Sequence, residues 1–164
     1  MTAATAATAV SRYAQLVRET LGETWLPRIY RERILRLRTR SYHFEAANPK
    51  ARIEIQHTLL GVELKIGRRR LLCPDLATAR YLSVFARVGV TDVAVPYDIT
   101  KISHIADELE SSWYRMLLLV EQEADKESPR VRSRLSGLLI AQAREEITAA
   151  GAGTKMPEFK IKKK

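Results

Sequence analysis

Cysteine is nearly absent from the sequence, which removes two kinds of protein from consideration. Cys73 is the one cysteine among 164 residues, so neither an intrachain disulfide nor a multi-cysteine metal site can form. Because secreted domains of this size use cysteines in pairs, we expect a reducing compartment and a cytoplasmic location. Cys73 follows a predicted strand, and we interpret it as a small buried apolar residue and not as a nucleophile.

Signals for a membrane are also missing from the sequence. The longest apolar run, residues 116–120, is far shorter than the roughly 20 residues that a membrane-spanning helix needs. Residues 1–10 have neither the early Lys or Arg nor the leucine-rich stretch of a secretory signal. We therefore expect a soluble protein without a membrane partner.

Positive charge is the property that the sequence has in excess. Lys and Arg number 28 against 19 Asp and Glu, a formal net charge of +9. Residues 1–72 carry 14 basic and 6 acidic side chains, residues 73–128 carry 5 and 10, and residues 129–164 carry 9 and 3. Such segregation can give one fold a polyanion-binding face and an acidic face, or the blocks can neutralise each other as surface ion pairs.

Length and composition indicate one globular domain with loose ends. The hydrophobic content of 46% is ordinary for a folded protein, and the length suits a single core. Residues 1–8 are low in complexity and are predicted to be disordered. We assign residues 9–150 to one α+β domain and residues 151–164, a Gly-rich hinge with a lysine-rich end, to a flexible basic tail.

Helices are predicted where apolar residues recur at every third or fourth position and a capping residue marks an end. Thr24 is expected to cap the second helix, which we end near Leu37 because the following residues alternate with the period of a strand. Ser128 followed by Pro129 indicates the start of the last helix. The predicted helices cover residues 10–21, 24–37, 75–88, 100–124 and 129–150.

The middle of the chain has the alternating pattern of a β-meander. Residues 51–59 and 62–66 alternate apolar and polar side chains, and Gly67-Arg68 indicates a tight turn into residues 69–73. Another strand is expected to start near Thr39, and an apolar run within residues 90–97 indicates a buried strand. The pattern predicts an α+β fold in which several helices pack on a small antiparallel meander, with two long C-terminal helices.

Arginine is concentrated in one segment, residues 28–40. The segment holds six arginines, and Glu32 is its one acidic residue. Arginine donates bidentately to phosphate and keeps its charge, and the rings of Tyr42 and Phe44 just beyond could stack on unpaired bases. The alternative is a solvated helix face whose alkyl stems cover the core. On a helix, the residues that would share one face are Arg33, Arg36 and Arg40.

A second basic element lies at the predicted hairpin turn. Arg68, Arg69 and Arg70 would protrude there and could contact successive phosphates or enter a groove. Alternatively, charged residues at this position protect an exposed strand edge from aggregation. The C-terminal lysines, Lys160 and residues 162–164, would add non-specific affinity.

One tripeptide suggests an enzyme. Glu63-Leu64-Lys65 lies on a predicted strand, and Glu54 lies on the strand before it. Together with the order helix, three strands, helix and strand over residues 26–97, this resembles the core of the PD-(D/E)xK nuclease superfamily. The resemblance implies that Glu54 and Glu63 hold a divalent metal and that Lys65 positions the nucleophile or stabilises charge.

The sequence therefore favours a non-catalytic nucleic-acid-binding protein, with no catalytic or metal-binding residue assigned and no cofactor expected. A first alternative is an assembly factor that binds an acidic protein, or a homo-oligomer in which the acidic stretch at 107–127 meets the basic region of another copy. A second alternative is the metal-dependent nuclease. The residues predicted to contact nucleic acid or another polyanion are Arg33, Arg36, Arg38, Arg40, Arg68, Arg69 and Arg70.

Overall fold

The structure, a computed structural model, describes residues 3–45 and 52–153. Within these ranges the chain forms four long helices, one short helix and five strands in two antiparallel sheets, so the predicted α+β class is confirmed. The helices are α1 (Ala3–Leu21), α2 (Leu26–Ile29, continued by a π-helix over Tyr30–Ile34), α3 (Leu76–Val88), α4 (Ile99–Glu123) and α5 (Pro129–Ala150). The strands are β1 (Thr39–His43), β2 (Ile53–Thr58), β3 (Gly61–Ile66), β4 (Arg69–Cys73) and β5 (Asp92–Pro96).

The N-terminal helices differ from the prediction at their starts. Helix α1 begins at Ala3, so residues 3–8, which were expected to be disordered, are helical. Thr24 does not cap α2: it lies in a short 3₁₀ turn, and its hydroxyl donates to the Leu21 carbonyl at 2.7 Å. Helix α2 begins at Leu26, with Pro27 in its first turn, where a missing N–H costs no helical hydrogen bond.

Helix α2 also ends earlier than the predicted Leu37. The Leu35 N–H donates to the Tyr30 carbonyl at 2.9 Å, the i→i+5 bond of a π-helix, and the helical stretch closes at Ile34. Residues 35–37 turn, and β1 starts at Thr39 as predicted. The arginine-rich segment is therefore helical in its first half, then turns and enters β1 only at its end.

The meander is the three-stranded sheet β2–β3–β4. Its register places Ile55, Leu64 and Leu71 in one row, and α3 packs against this apolar face. Residues of the opposite parity, Glu54 and Lys65 among them, lie on the other face. The prediction of an antiparallel meander over this part of the chain is confirmed.

The second sheet pairs β1 with β5, two strands that the meander and α3 separate along the sequence. The two strands are antiparallel, with Thr39 opposite Pro96 and His43 opposite Asp92. At the edge of β5 that faces away from β1, the backbone N–H of Ala94 donates to the Tyr30 hydroxyl at 3.0 Å, and the Tyr81 hydroxyl donates to the Ala94 carbonyl. Burial raises the pKa of both tyrosines, so both hydroxyls stay protonated and able to donate.

Helix α3 is the centre of the core. It is buried along most of its length between the meander and α4, while α1, α4 and α5 pack on one another. Its start is fixed by Asp75, which accepts from the Thr78 N–H at 2.7 Å, and its end by Gly89 at φ +93°. These ends, and the cap of α5 by Ser128, are as predicted. Among the described helices, none combines the length and apolar character needed to cross a bilayer.

The single cysteine of the sequence lies in the core. Cys73 is buried, as predicted, and burial raises the pKa of its thiol to about 11, so it is not an ionised nucleophile near neutral pH.

After α5 the chain returns to the β1–β5 sheet, where a Cβ at Gly153 would collide with the Thr39 hydroxyl. Residues 154–164, most of the predicted basic tail, lie outside the described residues.

Candidate nucleic-acid interface

The first half of the arginine-rich segment is neutralised by carboxylates. Three arginines on α2 and its π-helical continuation each have a guanidinium nitrogen within 4 Å of a glutamate oxygen. Two of these glutamates lie far along the chain, on α4 and α5, and were therefore not recognisable from the segment itself. The pairs are Arg28–Glu32 at 3.1 Å, Arg31–Glu146 at 3.6 Å and Arg33–Glu108 at 2.6 Å.

The second half is different, because its arginines meet no acid in the part of the chain that the structure describes. Arg36, Arg38 and Arg40 are exposed, and no carboxylate of the described residues lies within ion-pair distance of them. Arg36 follows the end of the π-helix, and Arg40 lies on β1. These three positive charges are therefore available to a ligand.

Arg38 and Arg40 lie on aromatic rings. The Tyr97 N–H donates to the Arg38 carbonyl at 3.1 Å, which extends the β1–β5 ladder and places these two residues opposite each other. Strand parity puts Arg38, Arg40 and Tyr42 on one face of β1. We call Arg38, Arg40, Tyr42 and Tyr97 the arginine–tyrosine cluster.

The cluster alternates cations and rings. The Arg38 guanidinium carbon lies 5.4 Å from the centroid of the Tyr97 ring. The Arg40 guanidinium lies between the two tyrosines, 5.0 Å from the Tyr42 centroid and 5.8 Å from the Tyr97 centroid. Arg40 also donates to the Tyr42 hydroxyl at 3.1 Å. These distances are those of cation–π contacts, which hold the guanidinium groups without neutralising them.

Three details of the predicted site change. Arg33, Arg36 and Arg40 do not share a helical face, because the helix ends at Ile34. Phe44 is buried and cannot stack on a base, whereas Tyr42 is half-buried. Tyr97, which sequence reasoning missed as a site residue, belongs to the cluster because of the long-range pairing of β1 with β5.

The basic turn, Arg68–Arg70, lies at the β3–β4 connection as predicted. All three residues are exposed, and Arg68 has no carboxylate of the described residues within ion-pair distance. Arg69 contacts Glu45 at 2.6 Å, and Arg70 lies 3.8 Å from Glu63, a long ion pair. The turn is therefore only partly neutralised.

Glu45 links the turn to the cluster. It lies three residues after Tyr42, so the two Cα atoms are at most about 11 Å apart. Because Arg69 contacts Glu45, the basic turn reaches the end of β1. A small cleft of about 190 Å³ between the two sheets is lined by His43, Ile66 and Arg70 among others.

The acidic helix α4 meets arginines of the same chain. Glu108 binds Arg33, Glu121 binds Arg132 at 3.3 Å, and Arg80 donates to both Glu110 and Asp107. Two of these pairs, Glu108–Arg33 and Glu121–Arg132, join different sequence blocks, so the blocks neutralise one another in part at this helix. The cluster is not neutralised in this way, since none of these carboxylates contacts it.

The carboxylates of the suggested metal site, Glu54 and Glu63, lie on neighbouring strands of the meander. Both lie on the face of the meander that is turned away from α3, where Glu54 is opposite Lys65 and Glu63 is opposite Gln56. Glu54 contacts Arg52 at 2.8 Å. Across the described ranges, no group of three His, Cys, Asp or Glu residues could hold a metal ion. Glu63 Oε1 is buried without a hydrogen-bond partner, and a metal held by Glu54 and Glu63 alone stays a prediction.

The cluster and the basic turn use the residue types found on nucleic-acid-binding surfaces. Arginines contact phosphates, and exposed aromatic rings stack on bases. The Arg69–Glu45 contact places the basic turn beside the residues that follow β1. The chain matches no protein-family model, no curated protein and no solved structure.

Proposed function

We propose that the protein binds nucleic acid without cleaving it, through the arginine–tyrosine cluster, Arg36 and the basic turn. One observation carries the proposal: some arginines of a single segment contact a carboxylate, whereas the others contact none among the described residues. The sequence pattern grouped Arg33 with the other arginines. Because Arg33 forms an ion pair with Glu108, we leave it outside the proposed contact surface.

The two groups of arginines differ in what an approaching phosphate would have to displace. A phosphate that approaches Arg28 or Arg31 must compete with a carboxylate already in contact. A phosphate that approaches Arg38 or Arg40 adds charge-assisted hydrogen bonds to a cation that has no anionic partner among the described residues.

The C-terminal residues support the same location. The last described residue, Gly153, lies against Thr39 and Ala94 of the β1–β5 sheet. The eleven residues that follow it contain five lysines and one glutamate. The lysine-rich segment is thus attached to the fold beside the strand that carries Arg38 and Arg40.

The test is the salt dependence of binding to labelled DNA and RNA oligonucleotides, measured by fluorescence anisotropy. We expect the logarithm of the affinity to fall linearly with the logarithm of salt concentration, by about 0.9 per phosphate contact on duplex DNA and about 0.7 on single strands. The variant R68A/R69A/R70A should show a shallower slope. Absence of binding to every oligonucleotide at about 50 mM salt, where phosphate contacts are strong, would contradict the proposal.

An acidic protein could contact the same arginines, and a second experiment separates the two partners. A pull-down from lysate with and without nuclease treatment shows whether a bound protein depends on nucleic acid. The proposal expects an elevated 260/280 absorbance ratio in the untreated sample and its loss after nuclease. A protein that co-elutes equally in both samples, without nucleic acid, would favour the acidic-partner alternative.

A further inference from the structure

We infer that the ligand of the arginine–tyrosine cluster is an unpaired strand, with a base stacked on Tyr97 and phosphates on Arg38 and Arg40. The inference rests on the proposed function and names the form of nucleic acid that this site takes. The observations behind it are the exposure of Tyr97, the size of the cluster and the absence, among the described residues, of an ion pair to Arg38 or Arg40.

Tyr97 is unusually exposed for a residue that extends a sheet. It remains 44% exposed, although its neighbours Val93, Ala94, Val95 and Pro96 on β5 are all buried. The guanidinium groups of Arg38 and Arg40 lie near this ring, within 6 Å of its centroid. A ring in this position offers an apolar face to a flat ligand.

The dimensions of the cluster suit a short unpaired segment. Arg38 and Tyr42 are four residues apart along β1, about 13 Å in an extended strand. A duplex turn is about 34 Å long, and its bases are stacked on one another inside the helix, where a ring on a sheet surface cannot reach their faces. In a single strand, each base has a face that an aromatic side chain can cover.

The guanidinium groups do not block the stacking site. No carboxylate of the described residues holds Arg38 or Arg40, so both can turn from the Tyr97 ring toward phosphates of the bound strand. A base then takes the place of a guanidinium on the ring. The alternation of cation and ring in the cluster corresponds to the alternation of phosphate and base along the strand.

The experiment compares single-stranded and duplex oligonucleotides of about a dozen nucleotides, within the usual site size of such surfaces. We expect the wild type to bind an oligothymidylate or oligouridylate more tightly than a duplex of the same length at the same salt concentration. The DNA and RNA arms show which sugar is preferred. A strand that contains 2-aminopurine should lose fluorescence on binding if its base stacks on the ring.

Substitutions at Tyr97 test the ring itself. Y97L should weaken single-strand binding about tenfold and leave the salt slope unchanged, because a stacking contact is lost and no phosphate contact is. Y97F keeps the ring and should bind as the wild type does. Y114L is the matched control, since Tyr114 is 59% exposed on α4 and no arginine of the described ranges lies over its ring. Circular dichroism and thermal melting confirm that each variant is folded.

The outcomes separate this inference from the proposed function. Failure of the wild type to bind any oligonucleotide overturns both. Equal affinity for duplex and single strand, or a Y97L variant that binds as tightly as the wild type, overturns the inference and leaves nucleic-acid binding standing. A loss in Y97F as large as that in Y97L also overturns it, because the ring would then not be the contact.

Discussion

The two halves of the arginine-rich segment differ in their partners, although their sequences look alike. In the first half, Arg28 and Arg31 contact glutamates. In the second, Arg38 and Arg40 contact tyrosine rings. The density of arginine in a sequence therefore does not decide which arginines are available to a ligand. The partners decide it, and residues far along the chain supply most of them.

The largest effect is expected from exchanging arginines of the second half. R38A/R40A should weaken single-strand binding about a hundredfold at low salt, about tenfold for each lost phosphate contact. R28A/R31A changes the net charge equally and should bind nearly as the wild type does. Its two guanidinium groups already face carboxylates, and their side chains are 38% and 43% exposed. Fluorescence anisotropy titrations at one salt concentration measure both variants.

The R28A/R31A substitutions should also leave the protein folded. Exposed ion pairs contribute about 0–1 kcal/mol each, and Glu146 retains its contact with Arg18 at 2.6 Å when Arg31 is removed. If R28A/R31A lost as much affinity as R38A/R40A, the division of the segment into two halves would be wrong.

A second change addresses the scaffold that holds the second half. The Tyr30 hydroxyl accepts from the Ala94 N–H and donates to the Gly151 carbonyl, which fixes β5 and the chain after α5 to the π-helix. Y30F should lower the free energy of unfolding by about 2 kcal/mol, because the buried N–H of Ala94 would then have no acceptor. Urea denaturation measures the change.

Y114F is the control for Y30F, since it removes a hydroxyl from an exposed ring and should leave stability unchanged. Where Y30F is folded, its affinity for nucleic acid should equal that of the wild type. An unchanged unfolding free energy in Y30F would show that the two hydrogen bonds of Tyr30 do not support the β1–β5 sheet.

The smallest expected effect is the change in thermal stability when the pH is lowered. The hydrogen bond from His43, at 2.8 Å across the end of the β1–β5 pair, holds the pKa of Asp92 below its usual value. A carboxylate with a lowered folded pKa stabilises the fold above its unfolded pKa, and the contribution is lost as pH falls through the folded value. Thermal melting between about pH 5 and pH 3 should therefore show a smaller loss in D92N than in the wild type. Identical pH dependence in the two proteins would show that the pair contributes nothing to stability.

Local signals predicted much of the fold. The meander follows from the alternation in residues 51–73, and the ends of α3 follow from Asp75 and Gly89, because each signal is contained within one element. The end of α2 was not predictable, since the π-helical bond at Tyr30 depends on how the helix packs and not on its residue types.

The candidate site was predicted less completely than the fold. The basic turn and the second half of the arginine segment were recognisable from their composition. Tyr97 was not, because it reaches Arg38 only through the pairing of β1 with β5, two strands separated by the meander and α3. The neutralisation of Arg33 by Glu108 was hidden for the same reason: the two residues are 75 positions apart.

The salt dependence of the two matched double variants tests the central claim most directly. For single-strand binding, the slope of log affinity against log salt should fall by about 1.4 in R38A/R40A, about 0.7 for each phosphate contact removed. The slope of R28A/R31A should equal that of the wild type. Slopes that fall equally in both variants would contradict the account, since net charge and not the partners of the arginines would then determine binding.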